Sequence, residues 1–196
     1  MKDYPRLEIT SRKDWRKWLG ANGSAASGVW AVTYRKASGG PYVSYEDLVE
    51  EAIAHGWVDS QSRALDDKRS QMLITPRKPK SGWSRPNKDR VKKLTAAGLM
   101  TPAGEAAIDR AKSNGSWSAL DDVENLVEPP ELAAALDADS GARRNWDAFP
   151  RSAKRAILEW ISTAKREETK ARRIDQTVRD AAENIRANQP RQPKRR

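Results

Sequence analysis

The chain has 196 residues, a hydrophobic fraction of 37% and a formal net charge of +10, which is enough length for one large domain or two small ones with a real core. It holds no cysteine and one histidine, His55, so a disulfide framework, a thiolate nucleophile and a sulfur- or histidine-rich metal site are excluded. Eight tryptophans offset the modest apolar content, because each can bury a large apolar area.

The charge is uneven. Residues 1–59 balance to zero, residues 60–100 carry +8, residues 101–150 carry −6 and residues 151–196 carry +8. Two basic blocks around an acidic one suggest an anionic partner, although a solvated face accounts for most such excesses.

The first element is a helix opened by a capping box at Ser11–Asp14, with Trp15, Trp18 and Leu19 as its apolar stripe. Asn22-Gly23 ends it. Gly28 to Tyr34 is β-branched and aromatic on both faces, the pattern of a central strand. A second capping box at Ser44–Asp47 starts a helix with Leu48, Val49, Ala52 and Ile53 on one face and Gly56 as its C-cap. Trp57 to Leu65 and Gln71 to Ile74 read as the two arms of a hairpin turning at Asp66-Asp67. Next comes TPRKPKSGWSRPN, residues 75–87, whose three prolines and glycine rule out regular structure. Helices follow around Val91 and Leu94, and from Thr101-Pro102 through Ala111. Residues 118–130 read as an acidic, irregular linker.

Beyond the linker the pattern is helical, with stripes at Leu132 and Leu136, at Trp146 and Phe149, and at Ile157, Trp160 and Ile161. The polar run Lys165 to Lys170 is either a break between helices or a solvated stretch of one long helix. The expected class is α+β, a small antiparallel or mixed sheet with helices followed by an all-helical part. The expected divisions are an α+β domain over 1–117, the linker, a helical region over 131–187 and a basic tail over 188–196, too polar to fold. The chain start lacks the apolar core of a signal peptide and no apolar run is long enough for a membrane span, so a cytoplasmic location is expected.

Little catalytic chemistry survives this inventory. His55 falls in the last turn of a helix, where an imidazole favours the terminal carbonyls. Ser162-Thr163-Ala164-Lys165 matches S-x-x-K without its companion motifs, and no phosphate-binding glycine motif occurs. Neither a metal nor a cofactor is expected, and the balance tips away from an enzyme. What remains is a binding constellation: Trp57 and Asp59 on one strand face, with Arg77, Trp83, Ser84 and Asn87 from the proline-rich stretch. Arginine holds carboxylates or phosphates by paired hydrogen bonds, and tryptophan offers a stacking plane. Ser84 or Asn87 can cap the helix that follows. Equally, Trp83 can pack on the sheet while Asp59 and Arg77 form a fold-stabilising bridge. The functional reading leans on Arg77 and Trp83 being held open toward solvent, and it ends if both are sealed inside with all their polar atoms matched. A second basic patch is Lys165, Thr169, Arg172 and Arg173, of which Lys165 and Thr169 share a face if the helix is continuous.

Several motifs occur together in order: Glu51 to Asp59, Thr75-Pro76-Arg77, Ser81-Gly82-Trp83-Ser84 with Asn87, Met100 to Gly104, Ala111-Lys112 with Gly115-Ser116-Trp117, and Ala164-Lys165 through Lys170 to Ile174. From about Trp15 to Ile174 the chain resembles the YdeI/OmdA family, bacterial proteins labelled bacteriocin-protection, YdeI or OmpD-associated. The resemblance implies a link to survival under antimicrobial peptides and no established reaction. The sequence departs from that family at Ala54 and His55, where a cysteine and an aromatic residue are typical, and at Lys170, where arginine is. The first departure argues against an essential thiol. The family label implies the envelope, against the signal-peptide argument above. The expected function is therefore non-enzymatic binding of a small anion or acidic peptide, with nucleic-acid binding or an unfamiliar acid–base enzyme as the alternatives.

Overall fold

The computed structural model describes residues 3–189. The chain divides into two compact units, Met1–Ala119 and Leu120–Arg196, and the mixed sheet lies wholly in the first. Strands β1 (Arg6–Glu8), β2 (Val29–Tyr34), β3 (Trp57–Ala64) and β4 (Arg69–Pro76) assemble in the order β1-β2-β4-β3. The β3–β4 hairpin is antiparallel, β4 pairs antiparallel with β2, and β1 runs parallel to β2. This agrees with the α+β expectation, and β2 is central as its two-faced apolar pattern required. Strand β1 was not anticipated. It is three residues long and largely exposed, and its polar-apolar-polar alternation is too short a run to mark a strand.

Helices α1 (Arg12–Asn22) and α2 (Tyr45–Ala54) begin as read: the Ser11 and Ser44 hydroxyls accept from the amides of Asp14 and Asp47 at 3.1 and 3.0 Å. Helices α3 (Arg85–Ala96) and α4 (Pro102–Ser113) complete the unit. Val29, Ala31, Met72 and Ile74 from the sheet pack with Trp15, Leu19, Val49, Ile53, Trp57 and Trp83 in one core. Helix α2 is buried from Leu48 to Ala54, Glu50 and Glu51 included. Glu50 and Glu51, each 2% exposed, escape the cost of an isolated buried carboxylate because cations reach both. Arg12 and Arg16 grip Glu51 at 2.7 and 2.8 Å, while Arg12 and Lys93 grip Glu50 at 3.0 and 2.5 Å. These pairs fasten α1 and α3 to α2.

The motif Met100 to Gly104 is a close crossing. The Thr101 hydroxyl and amide both donate to the Ala54 carbonyl, at 2.7 and 3.1 Å, and Gly104 lies so near that carbonyl that a Cβ there would collide with it. Gly56, at φ +76°, turns the chain from α2 into β3 in a conformation L side chains resist. His55 caps α2, its Nδ1 2.8 Å from the Glu51 carbonyl, the structural role expected of it.

The second unit is helical: α5 (Asp121–Glu124), α6 (Pro130–Asp137), α7 (Ser140–Ala148), α8 (Arg151–Ser162) and α9 (Glu167–Ala182). Its core joins Leu132, Leu136, Trp146, Phe149, Ile157, Ile161, Ile174 and Ala181. The stretch read as an irregular linker contains α5, whose Val123 is buried in this core. A single apolar residue among acids gives too weak a periodicity to announce a helix. The polar run 165–170 resolves as a break, because α8 ends at Ser162 and α9 starts at Glu167. The last seven residues of the tail, 190–196, lie outside the described residues. Among those described, no helix is long and apolar enough to cross a membrane.

Candidate functional site

Residues 77–84 leave the end of β4 and return to the start of α3 without regular structure, so their backbone groups need other partners. The Arg77 amide donates to the Gly56 carbonyl at 3.0 Å, and the Pro79 carbonyl accepts from Asn114 Nδ2 at 2.8 Å and Ser116 Oγ at 3.1 Å. Trp83 anchors the far end of the segment, 1% exposed, with Trp117 tilted against it at a centroid distance of 5.1 Å. Lys88 and Lys112 lie over the Trp117 ring at 5.3 and 5.7 Å. The Gly115-Ser116-Trp117 motif thus straps the segment down.

This placement overturns the expectation that Arg77 and Trp83 stand open to solvent. Arg77 is only 8% exposed. Proline forbids a ladder but not burial: Trp83 carries the segment into the core, and distant side chains answer its carbonyls. The guanidinium stacks on the Trp83 ring at 3.7 Å. Its Nη1 donates to the Gly82 carbonyl at 3.1 Å and reaches Ser81 Oγ at 3.5 Å. Its Nε and the Trp83 indole Nε1 are both sealed from solvent and bond to nothing. Nη2 makes no hydrogen bond among the described residues and is not sealed. Burial lowers the Arg77 guanidinium to about 10, and Asp59, acting through its charge alone, resists that fall. A buried cation has one nitrogen anchored and the opposite edge unanswered.

The fold-stabilising bridge does not form: no ion pair joins Arg77 to a carboxylate among the described residues. Asp59 sits on β3 opposite Ile74, where the β3–β4 register becomes irregular, and its Oδ2 accepts from the Tyr45 hydroxyl at 3.1 Å. Burial and the Asp59 carboxylate raise the Tyr45 phenol, keeping it a donor. Arg90 lies over the Tyr45 ring at 5.7 Å but gives its guanidinium to Glu46 at 2.8 and 2.9 Å and to Asn87 Oδ1 at 2.9 Å. Asn87 is therefore an arginine acceptor, not a cap. Ser84 occupies the N-cap position of α3 with its hydroxyl making no capping bond. Trp57 is a core residue, 1% exposed and edge-on to Trp18 at 6.0 Å. Tyr45 and Arg90 were missed, since one sits in a capping box and the other among the cations of α3, with nothing local to tie either to Asp59.

The second basic patch does not assemble. Lys165 precedes α9 while Thr169, Arg172 and Arg173 lie on it, so the shared face of Lys165 and Thr169 fails with the helix break. Arg173 stacks on Trp160 at 5.0 Å and donates to the Trp160 carbonyl and Thr163 Oγ1. Around the start of α9 a concavity of about 320 Å³ is lined by Glu131, Glu167, Glu168, Lys170, Ala171 and Ile174. Lys170 is raised by its 2.9 Å bond to Glu131, so it is not a free cation. The 60–100 block is likewise partly engaged, with Arg69 on Glu8 and Asp66, Arg90 on Glu46 and Lys93 on Glu50. Among the described residues no group of three or more acids or histidines could hold a metal ion.

The architecture defines the class: an α+β unit around a four-stranded mixed sheet, followed by a helical unit. Residues 7–107 match the family model described as a domain of unknown function, DUF8412, and the chain belongs to that family. Residues 125–184 match the model described as bacteriocin-protection, YdeI or OmpD-associated. The resemblance to that second family is thereby confined to the helical unit. The motifs from Glu51 to Gly104 fall under the first model instead. No curated protein and no solved structure matches the chain significantly.

Proposed function

We propose that the first unit is a non-enzymatic binding module for a small molecule or chain end bearing a carboxylate or phosphate, held by Arg77. The observation that carries this reading is the unanswered Nε–Nη2 edge of a buried guanidinium. Nη2 reaches solvent and can donate a charge-assisted hydrogen bond to an oxyanion, and Nε on the same edge joins it only when the segment shifts to admit the ligand. A buried arginine kept for the fold alone meets a carboxylate or a full set of carbonyls, because an uncompensated charge in a dry environment is costly. Here the protein supplies one firm acceptor and an indole. Trp83 Nε1 is a second buried donor without a partner, and the uncapped start of α3 favours the same sign of ligand charge. The association with bacteriocin protection, carried by the family matched in the second unit, is part of this reading as a cellular setting.

The test is an NMR titration of the intact chain with acetate and inorganic phosphate, following the Arg77 Nε–H and Trp83 indole N–H resonances. Saturable downfield shifts of both are expected in the native chain, with no response at Trp83 in Arg77→Met. Resonances that stay fixed to tens of millimolar of either ion would end the reading.

A further inference from the structure

We infer that the first unit carries a docking surface for the phosphate backbone of a nucleic acid, with Lys78, Lys80 and Lys112 as its cations. None of these groups takes part in the small-anion site above. From Lys68 to Lys88 the sequence holds seven cations and no acid, and from Arg110 to Ala119 two cations and no acid. The fold brings the two stretches together, because the Pro79 carbonyl accepts from Asn114 Nδ2 at 2.8 Å and from Ser116 Oγ at 3.1 Å. Lys78 and Lys80 stand on either side of that proline in a tight turn, closed by the Ser81 amide and hydroxyl donating to the Lys78 carbonyl at 3.0 and 2.8 Å. Lys112, in the last turn of α4, lies 5.7 Å from the Trp117 ring centre, and Lys88 lies 5.3 Å from it.

Acids answer Arg12, Arg16, Arg69, Arg90 and Lys93 elsewhere in this unit. Lys78, Lys80 and Lys112 are exposed and make no ion pair among the described residues. The start of α3, in the same segment, has the same sign: its first turn holds no acid and Ser84 makes no capping bond, although a helix start attracts negative charge. The mount is stiff. Pro79 fixes the turn, Trp83 is sunk in the core and Trp117 packs against it at 5.1 Å, so little backbone ordering remains for binding to pay. A chain of phosphates neutralises several such cations at once and releases its own counterions. Lysine meets phosphate as a point charge, whereas paired recognition of a carboxylate is an arginine task. The three lysines therefore favour a phosphate backbone over an acidic polypeptide. Hydroxyls and helix starts, both present here, are the other usual donors to phosphate.

The experiment titrates a fluorescein-labelled oligothymidylate of about 20 nucleotides with the intact chain and reads anisotropy. With about three or four phosphates neutralised, affinity is expected to fall about 20- to 50-fold between about 50 and 200 mM salt. Lys78→Gln, Lys80→Gln and Lys112→Gln combined are expected to lower affinity at the lower salt roughly ten-fold or more and to take about 2 off the salt slope. The same change at Lys13, Lys17 and Lys36, exposed lysines elsewhere on this unit, should alter affinity less than about two-fold. Absence of binding at the lower salt overturns the proposal, as do equal losses in the two variants. Polyglutamate binding as tightly as the oligonucleotide overturns it in favour of an acidic protein partner. Amide shifts on adding the oligonucleotide to the native chain decide even if the lysine variant fails to fold: they are expected at residues 78–81 and 112–117, and shifts confined elsewhere overturn the proposal.

Discussion

Replacing Arg77 with methionine separates a residue kept for a ligand from one kept for the fold. Burial brings the Arg77 guanidinium to about 10, well below an ordinary arginine. At about 1.4 kcal/mol per pH unit, holding the charged form inside costs roughly 3 kcal/mol. Arg77→Met removes that cost and keeps an unbranched, polarisable chain on the Trp83 face. The losses are the guanidinium–indole attraction, about 1–2 kcal/mol where desolvated, and the Nη1 bond to Gly82, about 1 kcal/mol. Gain and loss nearly cancel, so the ligand-free variant is expected within about 1 kcal/mol of the native chain. Removing one partner of a satisfied buried ion pair would cost about 3–5 kcal/mol instead. The assay is urea unfolding read at the indole resonances of Trp15 and Trp57, both in the core of the first unit. A loss of 3 kcal/mol or more would refute the reasoning, because it would mean that the guanidinium is fully answered in the native state.

Gly104→Ala should push α4 off the Ala54 carbonyl it rests on and cost about 1–3 kcal/mol as an overpacked contact; an unchanged urea midpoint would show that the crossing yields freely. Acid should weaken the first unit in a defined window. Asp47 is held low by the Ser44 hydroxyl and then by Arg12, and Glu46 by its Arg90 hydrogen bonds. Both carboxyls are depressed in the folded state, so their contribution is complete above about pH 4.5 and is lost as pH falls through their lowered values. The stability gap between the native chain and Ser44→Ala should therefore shrink between pH 5 and about pH 3, leaving the amide-capping part; a gap constant over that window would contradict the assignment.

The parts legible in the sequence are those governed by near neighbours. The hydroxyls of Ser11 and Ser44 reach amides three residues on, and the apolar stripes of α1, α2, α8 and the β3–β4 hairpin repeat at the period of their own backbone. His55 likewise answers a carbonyl four residues back. The acids of α2 were not legible, because a glutamate beside the stripe looks solvated until Arg12, Arg16 and Lys93 arrive from two other helices. Strand β1 exists through its parallel pairing with β2, more than twenty residues away, and the alternation of its own three residues is too short to announce it.

The candidate site divides in the same way. Composition and local chemistry alone put Arg77, Trp83 and Asp59 forward, since those residue types suit oxyanions, stacking and cations. Whether the segment around Arg77 floats in water or seals itself inside was decided by Asn114 and Ser116, thirty-five and thirty-seven residues from the Pro79 carbonyl they hold. Tyr45 reached Asp59 only when α2 packed beside β3, and Arg90 came over the Tyr45 ring from α3. Local sequence selects which groups are present and which turns and helices form, because those depend on bonds spanning three or four residues. Burial, and with it the charge state and the unanswered edge of Arg77, depends on what the rest of the chain brings near, and that is a property of the folded unit alone.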